Sequence, residues 1–297
     1  MATITILFYR VFIFILLGYI LGRYVRFNIQ REAQGIINIG MYVLFPFFVL
    51  VTMWSETLPA AYLYRVWLLA AGVVIGGAAL AWLYSRIYVM SYRDCSLPII
   101  FVNSAYLGIP VNTYILGSAA TKYAIIFDLV PTLIMFTFGV ALVAKGDRLK
   151  EILKMPLAYA ALIGLLLNAQ GVPVPWPVLK ITSFVKAVTM PLILIIVGYE
   201  LKPFKTALLS RVLTASVLRM AGGASIALAL IFLLRLEGIP ALVCLISASM
   251  PSAVNSYVLA KKYQANAEFA AAVVAMSTLI SLPVIMIISL LIHGKMI

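Results

Sequence analysis

Charge is scarce in this sequence. Only 10% of its 297 residues are Asp, Glu, Lys or Arg, against about 25% in a soluble domain. Histidine is scarcer: His293 is the single one, and the two cysteines, Cys95 and Cys244, lie far apart in the chain. That inventory assembles no Cys/His metal site. It also offers a hydrolase neither an activated nucleophile with its base nor paired carboxylates. An enzyme is therefore the remote alternative, and the chain is read as no enzyme and as having no cofactor. Nor is there a basic stripe with interleaved exposed aromatics, so the net charge of +13 does not point to nucleic acid.

Apolar residues fill the space that charge leaves. The chain is 65% hydrophobic with a mean hydropathy of +1.12. A helix needs roughly 20 apolar residues to cross a bilayer, and the runs predict an all-α membrane protein of ten transmembrane helices. The expected spans are about 4–24, 35–54, 64–88, 97–117, 119–144, 156–170, 177–199, 208–236, 239–263 and 267–293. The first run lacks a basic leader and a small-residue cleavage site, so it is read as span 1 rather than a signal peptide. The cysteines fall toward opposite membrane faces as buried, inert thiols. Loops after odd-numbered spans hold 14 Lys and Arg, and the opposite loops hold 5. The positive-inside rule puts the 14 in the cytoplasm and both chain ends outside.

A polar linker, 145–155, separates 1–144 from 156–297, with five spans in each part. The two parts resemble each other. Thr132-Leu133-Ile134 matches Thr278-Leu279-Ile280 at an offset of 146, Pro46 matches Pro191 at 145, and Pro110 matches Pro251 at 141. Five is odd, so the second part must lie upside down relative to the first. That is an inverted repeat, a common design of secondary transporters.

Two spans carry helix breakers beside polar groups. Span 4 holds Asn103-Ser104-Ala105-Tyr106-Leu107-Gly108-Ile109-Pro110-Val111-Asn112. Span 9 holds Met250-Pro251-Ser252-Ala253-Val254-Asn255-Ser256. Each proline removes a donor and clashes with the carbonyl four residues earlier, that of Tyr106 for Pro110. One such proline is commonly only a kink; a pair at corresponding places in inverted halves points to a midplane site. The second half of each span is expected to begin after its proline. Both would aim helix N-termini, with unpaired N–H groups, at one crossing. Such ends attract carboxylates, and Asn103, Asn112, Ser252 and Asn255 add polar groups. A small organic anion is the expected guest. The opposing C-terminal carbonyls suit a cation, either Na⁺ or a protonated group.

Intramembrane charge is sparse. Asp128 in span 5 is expected to be protonated, to pair with a lysine, to relay protons or to act as a structural cap. Arg219, near the middle of span 8, balances Asp128, balances a substrate carboxylate, or ties helices together. Arg10 and Lys186 lie nearer the outer surface and are read as snorkelling structural residues. Glycines 72, 76, 77, 222 and 223 suit close helix packing.

At 103–111 and 250–260 the sequence resembles the auxin efflux carrier family, which includes bacterial members and the plant PIN transporters. The matching residues are Asn103, Leu107-Gly108-Ile109-Pro110, Met250-Pro251, Ala253-Val254-Asn255-Ser256 and Val258-Leu259-Ala260-Lys261. The resemblance implies crossed broken helices 4 and 9. It also implies a scaffold of helices 1, 2, 6 and 7, which dimerises in plant members, and a core of helices 3–5 and 8–10 that moves like an elevator. It implies organic-anion transport, auxin in plants and malate-like carboxylates in bacteria. Asn103, Pro110, Pro251 and Asn255 carry over as site residues, with Tyr106, Asn112 and Ser252 beside them. Ala105 stands where a glycine is common, and Ser252 where a proline is frequent. The long cytoplasmic loop of many plant members is absent, which favours a bacterial inner membrane. A sodium-coupled symporter of the related bile-acid type is the alternative, and a channel is the weaker one.

Overall fold

In the computed structural model, the residues described are 13–23, 39–55, 60–145, 156–182 and 206–293, with the isolated positions 147, 150, 184, 185, 191 and 195. Arg10, Lys186, most of the 145–155 linker, most of the expected span 7 and both chain ends lie outside them. The described residues form helices and no strand, apart from one isolated two-residue bridge. Among the described residues, four helices are long and apolar enough to cross a membrane: Leu63–Ile87, Ala119–Val143, Leu208–Leu234 and Ala267–Ile288. A bilayer offers the main chain no water, so helices that pair their own N–H and C=O groups are the economical way across.

Helix α1 is Ile13–Arg23. Helix α2 opens with a π turn, Gly40–Leu44, and continues as Phe45–Ser55. Helix α3 is Ala60–Ile87. Span 4 is two pieces: α4, Tyr92–Ile100, and α5, a π turn Ser104–Gly108 that runs into Ile109–Leu116. Helix α6 runs from Ala119–Ile134 through a π turn, Met135–Gly139, to Val140–Val143. After α7, Pro156–Ala169, a short helix α8 covers 176–182. Helix α9 is Thr206–Val217, a π turn Leu218–Gly222, and Gly223–Leu234. Span 9 is again two pieces, α10, Gly238–Ala248, and α11, Val254–Lys262. Helix α12 is Ala267–His293. Long helix, two short pieces and long helix thus occur twice in the same order.

Helices α2 and α7 pack along each other. A side chain at Gly164 would overlap the Leu50 carbonyl and the Met53 side chain, so only glycine lets the two backbones come this close. Asn168 Nδ2 donates to Trp54 O at 2.8 Å, and Trp54 Nε1 donates to Val172 O at 2.6 Å. Helices α3, α6, α9 and α12 pack around the two broken spans. Gly72 and Gly76 on α3 receive Leu230 and Ile226 of α9, and Gly222 receives Leu80, which is the close packing expected of these glycines. At one end of this group Arg93 fans out from α4. Its Nε donates to Val143 O at 2.9 Å, at the end of α6. Its two terminal nitrogens donate to Tyr263 O and, at 3.2 Å, to Gln264 O, past the end of α11. One guanidinium thus caps two helix C-termini, where cations are favoured. Both cysteines are buried and free, as expected.

Candidate functional site

The breaks in spans 4 and 9 touch each other. Residues 101–103 and 251–253 are extended and run antiparallel, with Val102 opposite Ser252. Asn103 N donates to Pro251 O at 2.8 Å, and Ala253 N donates to Phe101 O at 2.9 Å. Each break satisfies main-chain groups of the other, as buried backbone requires. Pro251 fits because the bridge uses only its carbonyl. Ser252 N donates instead to Ser277 Oγ of α12 at 3.0 Å.

Span 4 breaks earlier than its proline predicts. The chain leaves the helix at Phe101 and re-enters at Ser104, six residues before Pro110. Asn103 caps the new start, its Oδ1 accepting from Tyr106 N at 3.3 Å. Pro110 sits in the first turn of the α-helical part of α5, where a missing N–H is tolerated. The π turn ahead of it, with Gly108 N bonded back to Asn103 O, re-routes the hydrogen bonds that a proline would otherwise break. In span 9 the break does fall at Pro251, as expected.

A narrow cleft opens beside the bridge. Asn103, Tyr106, Asp128, Thr132, Val254 and Asn255 line it, with Phe101, Val102, Ala105, Pro131, Met135 and Ala253. It holds about 20 Å³ for a water-sized guest, enough for roughly one water. Any guest larger than a water must spread its walls to enter. Asp128 is 7% exposed, and its oxygens accept from Ser104 Oγ at 2.6 Å and Thr132 Oγ1 at 3.3 Å. Asn255 is among the lining residues, and its buried amide oxygen has no hydrogen-bond partner. Helix α11 starts at Val254 with no side-chain cap, leaving its first N–H groups and partial positive charge facing the cleft.

Of the residues singled out in the sequence, Asn103, Tyr106, Asp128 and Asn255 meet at this cleft. Pro110, Asn112, Pro251 and Ser252 do not line it. Asn112 is fully buried, and its Nδ2 donates to Gly108 O at 2.8 Å and to Ser247 Oγ at 2.9 Å, so it ties α5 to α10. Ser252 is also fully buried behind the bridge. Arg219 lies on the other side of the crossing, at the C-terminal ends of α4 and α10. Its hydrogen bonds go to the carbonyls of Ile99, Ile100 and Ala248, so it joins the ends of two helices. Sequence reasoning missed Ser104 and Thr132. The signal was available: an intramembrane carboxylate needs donors, and Thr132 is one helical turn from Asp128.

A family model described as membrane transport protein matches residues 140–289, half of the chain. An uncharacterized transporter of Methanothermobacter thermautotrophicus is 26% identical over 283 residues, covering 92% of this chain and 93% of that one. An uncharacterized transporter of Methanocaldococcus jannaschii is 28% identical over 194 residues, covering 62% of this chain and 63% of that one. With its apolar spanning helices and two interrupted spans, the chain is an integral membrane protein and belongs to the membrane transport protein family, that of the auxin efflux carriers.

Proposed function

We propose that this protein is a secondary carrier of a small organic anion, held by its carboxylate in the cleft beside the crossing. The observation that carries this reading is the bridge between Val102 and Ser252, because it sets the starts of α5 and α11 beside one polar cleft. Two helix N-termini together offer roughly one positive charge. Asn103 and Asn255 supply directional amide groups, and Tyr106 covers the guest's apolar part.

Asp128 makes the coupling specific. A guest carboxylate about 4 Å from an ionised Asp128 would be repelled by about 4 kcal/mol at an effective dielectric constant of 20. A proton on Asp128 removes that repulsion and leaves a carboxylic acid able to donate to the guest. Anion and proton therefore bind together, and affinity rises as pH falls. The alternative is sodium coupling of the bile-acid type.

The chain is read as ten spans in two inverted repeats, with both ends outside the cytoplasm. The helices around the crossing form the moving core. α1, α2, α7 and α8 belong to a scaffold through which two copies pair. The close packing of α2 on α7 and the Arg93 cap within the other group support two bodies that slide past each other as an elevator. Thermal shifts of the purified protein with mono- and dicarboxylates, with and without Na⁺, test the reading, because a ligand of the folded state raises its stability. Stabilisation by carboxylates that strengthens at lower pH is expected. No response to any carboxylate would refute it.

A further inference from the structure

Arg219 is 1% exposed, a full guanidinium enclosed within a protein of the membrane. Charge there is costly and marks function or a specific compensation. Its compensation is unusual because all its hydrogen bonds, among the described residues, go to main-chain carbonyls. Nη1 donates to Ile99 O at 3.3 Å and Ile100 O at 2.5 Å, at the end of α4. Nη2 donates to Ala248 O at 3.1 Å, at the end of α10. The fork thus spans both interrupted helices. A helix C-terminus carries about half a negative charge, so two of them match roughly one guanidinium.

The surroundings are shaped for that head group. A side chain at Gly223, one turn along α9, would overlap Nη2 and the Ala248 carbonyl. One at Gly77 of α3 would lie 3.2 Å from the Ile100 carbonyl and 3.6 Å from Nη1. The two glycines leave a slot, and the guanidinium fills it. The carbonyl ends of crossed half-helices are where a transporter of this design can hold a loose coupling cation.

We propose that Arg219 is a tethered cation that permanently takes this place, so that Na⁺ has no part in anion binding. The consequence for transport rests on the carrier reading above, whereas the cation slot itself does not. A guanidinium keeps its proton throughout the working pH range. The carbonyl side of the crossing is therefore fixed in charge, and any ion that varies through the cycle acts on the cleft side. Lysine would not replace it, since a point charge on a flexible stem does not bridge two helix ends as a planar fork does. Arg219 is a positioning residue: it holds the ends of the two helices that lead into the extended segments beside the cleft.

The test uses thermal stability of the purified full-length protein without any anion guest, in NaCl or in N-methyl-D-glucamine chloride at equal ionic strength. The wild type is expected to melt at the same temperature in both salts. Arg219→Ala should lower Tm by roughly 10 °C, from three lost charge-assisted hydrogen bonds. Most of that loss should return with Na⁺ or with millimolar methylguanidinium, which refill the slot, and not with N-methyl-D-glucamine. Arg219→Lys, which keeps the charge, covers the case in which the alanine variant does not fold. It should melt between the two and show no Na⁺ response. Na⁺-specific stabilisation of the wild type would overturn the proposal. So would an alanine variant that melts like the wild type, or one that no small cation restores. Because these arms contain no carboxylate, a failure of every carboxylate to bind would refute the carrier reading and leave this outcome distinct.

Discussion

Asn112→Ala separates a tie from a ligand. Asn112 was expected at the anion site, yet its Nδ2 joins Gly108 O of its own helix to Ser247 Oγ of α10, and the residue is fully buried. Alanine deletes both hydrogen bonds. Each is worth roughly 0.5–1.5 kcal/mol net, and a buried hydroxyl left unsatisfied adds about 1–3 kcal/mol. Two effects offset part of this. Asn112 Oδ1 has no partner in the folded protein, so its loss removes an unmet acceptor, and alanine favours the helix by about 0.5 kcal/mol. A net cost of about 2 kcal/mol follows, or a fall in Tm of roughly 4–8 °C by the scaling for domains of 150–250 residues. Affinity for the best carboxylate, measured well below the new Tm, should change less than about twofold, because Asn112 does not line the cleft. An unchanged Tm together with a tenfold loss of affinity would refute the argument and return Asn112 to the binding site.

Asn255→Ala should do the reverse, weakening carboxylate binding about 10- to 100-fold through a lost hydrogen bond to a charged group while Tm stays near wild type; unchanged affinity in calorimetric titration would remove Asn255 from the site. Asp128→Asn mimics the protonated acid and should flatten the pH dependence of binding, so a mutant that keeps the wild-type pH profile would make Asp128 structural. Gly164→Ala should lower Tm by several degrees without altering carboxylate affinity, since its new methyl group collides with the Leu50 carbonyl in the α2–α7 pair; a wild-type melting curve would contradict the backbone contact.

Much of the architecture was legible because membrane helices announce themselves by apolar length alone. The expected spans at 119–144, 239–263 and 267–293 lie within a residue or two of α6, the α10–α11 pair and α12. Span 4 was read too short, because Arg93 and Asp94 look like loop residues; the structure uses Arg93 as a helix cap and Asp94 Oδ1 to accept from Asn266 N. Its break was also misplaced. Proline is the visible breaker, but a π turn accommodated Pro110 within α5, while Phe101-Val102-Asn103 opened through pairing with a distant segment. Such pairing is a tertiary event that no local propensity encodes. The same limit explains the two asparagines of span 4: Asn103 and Asn112 are equal as residue types, and only the position of α10 makes one a cleft residue and the other a tie. Arg219 was visible as an intramembrane cation, yet its three carbonyl partners come from helices distant in sequence.

The Val102–Ser252 bridge is made by main chain alone. Any residue except proline at 103 or 253 can supply the two amide hydrogens it uses, so substitution along this strip leaves the link standing. Selectivity and architecture are thereby written in different alphabets. Evolution or an engineer can exchange the side chains facing the guest, one at a time, and the hub on which they hang endures.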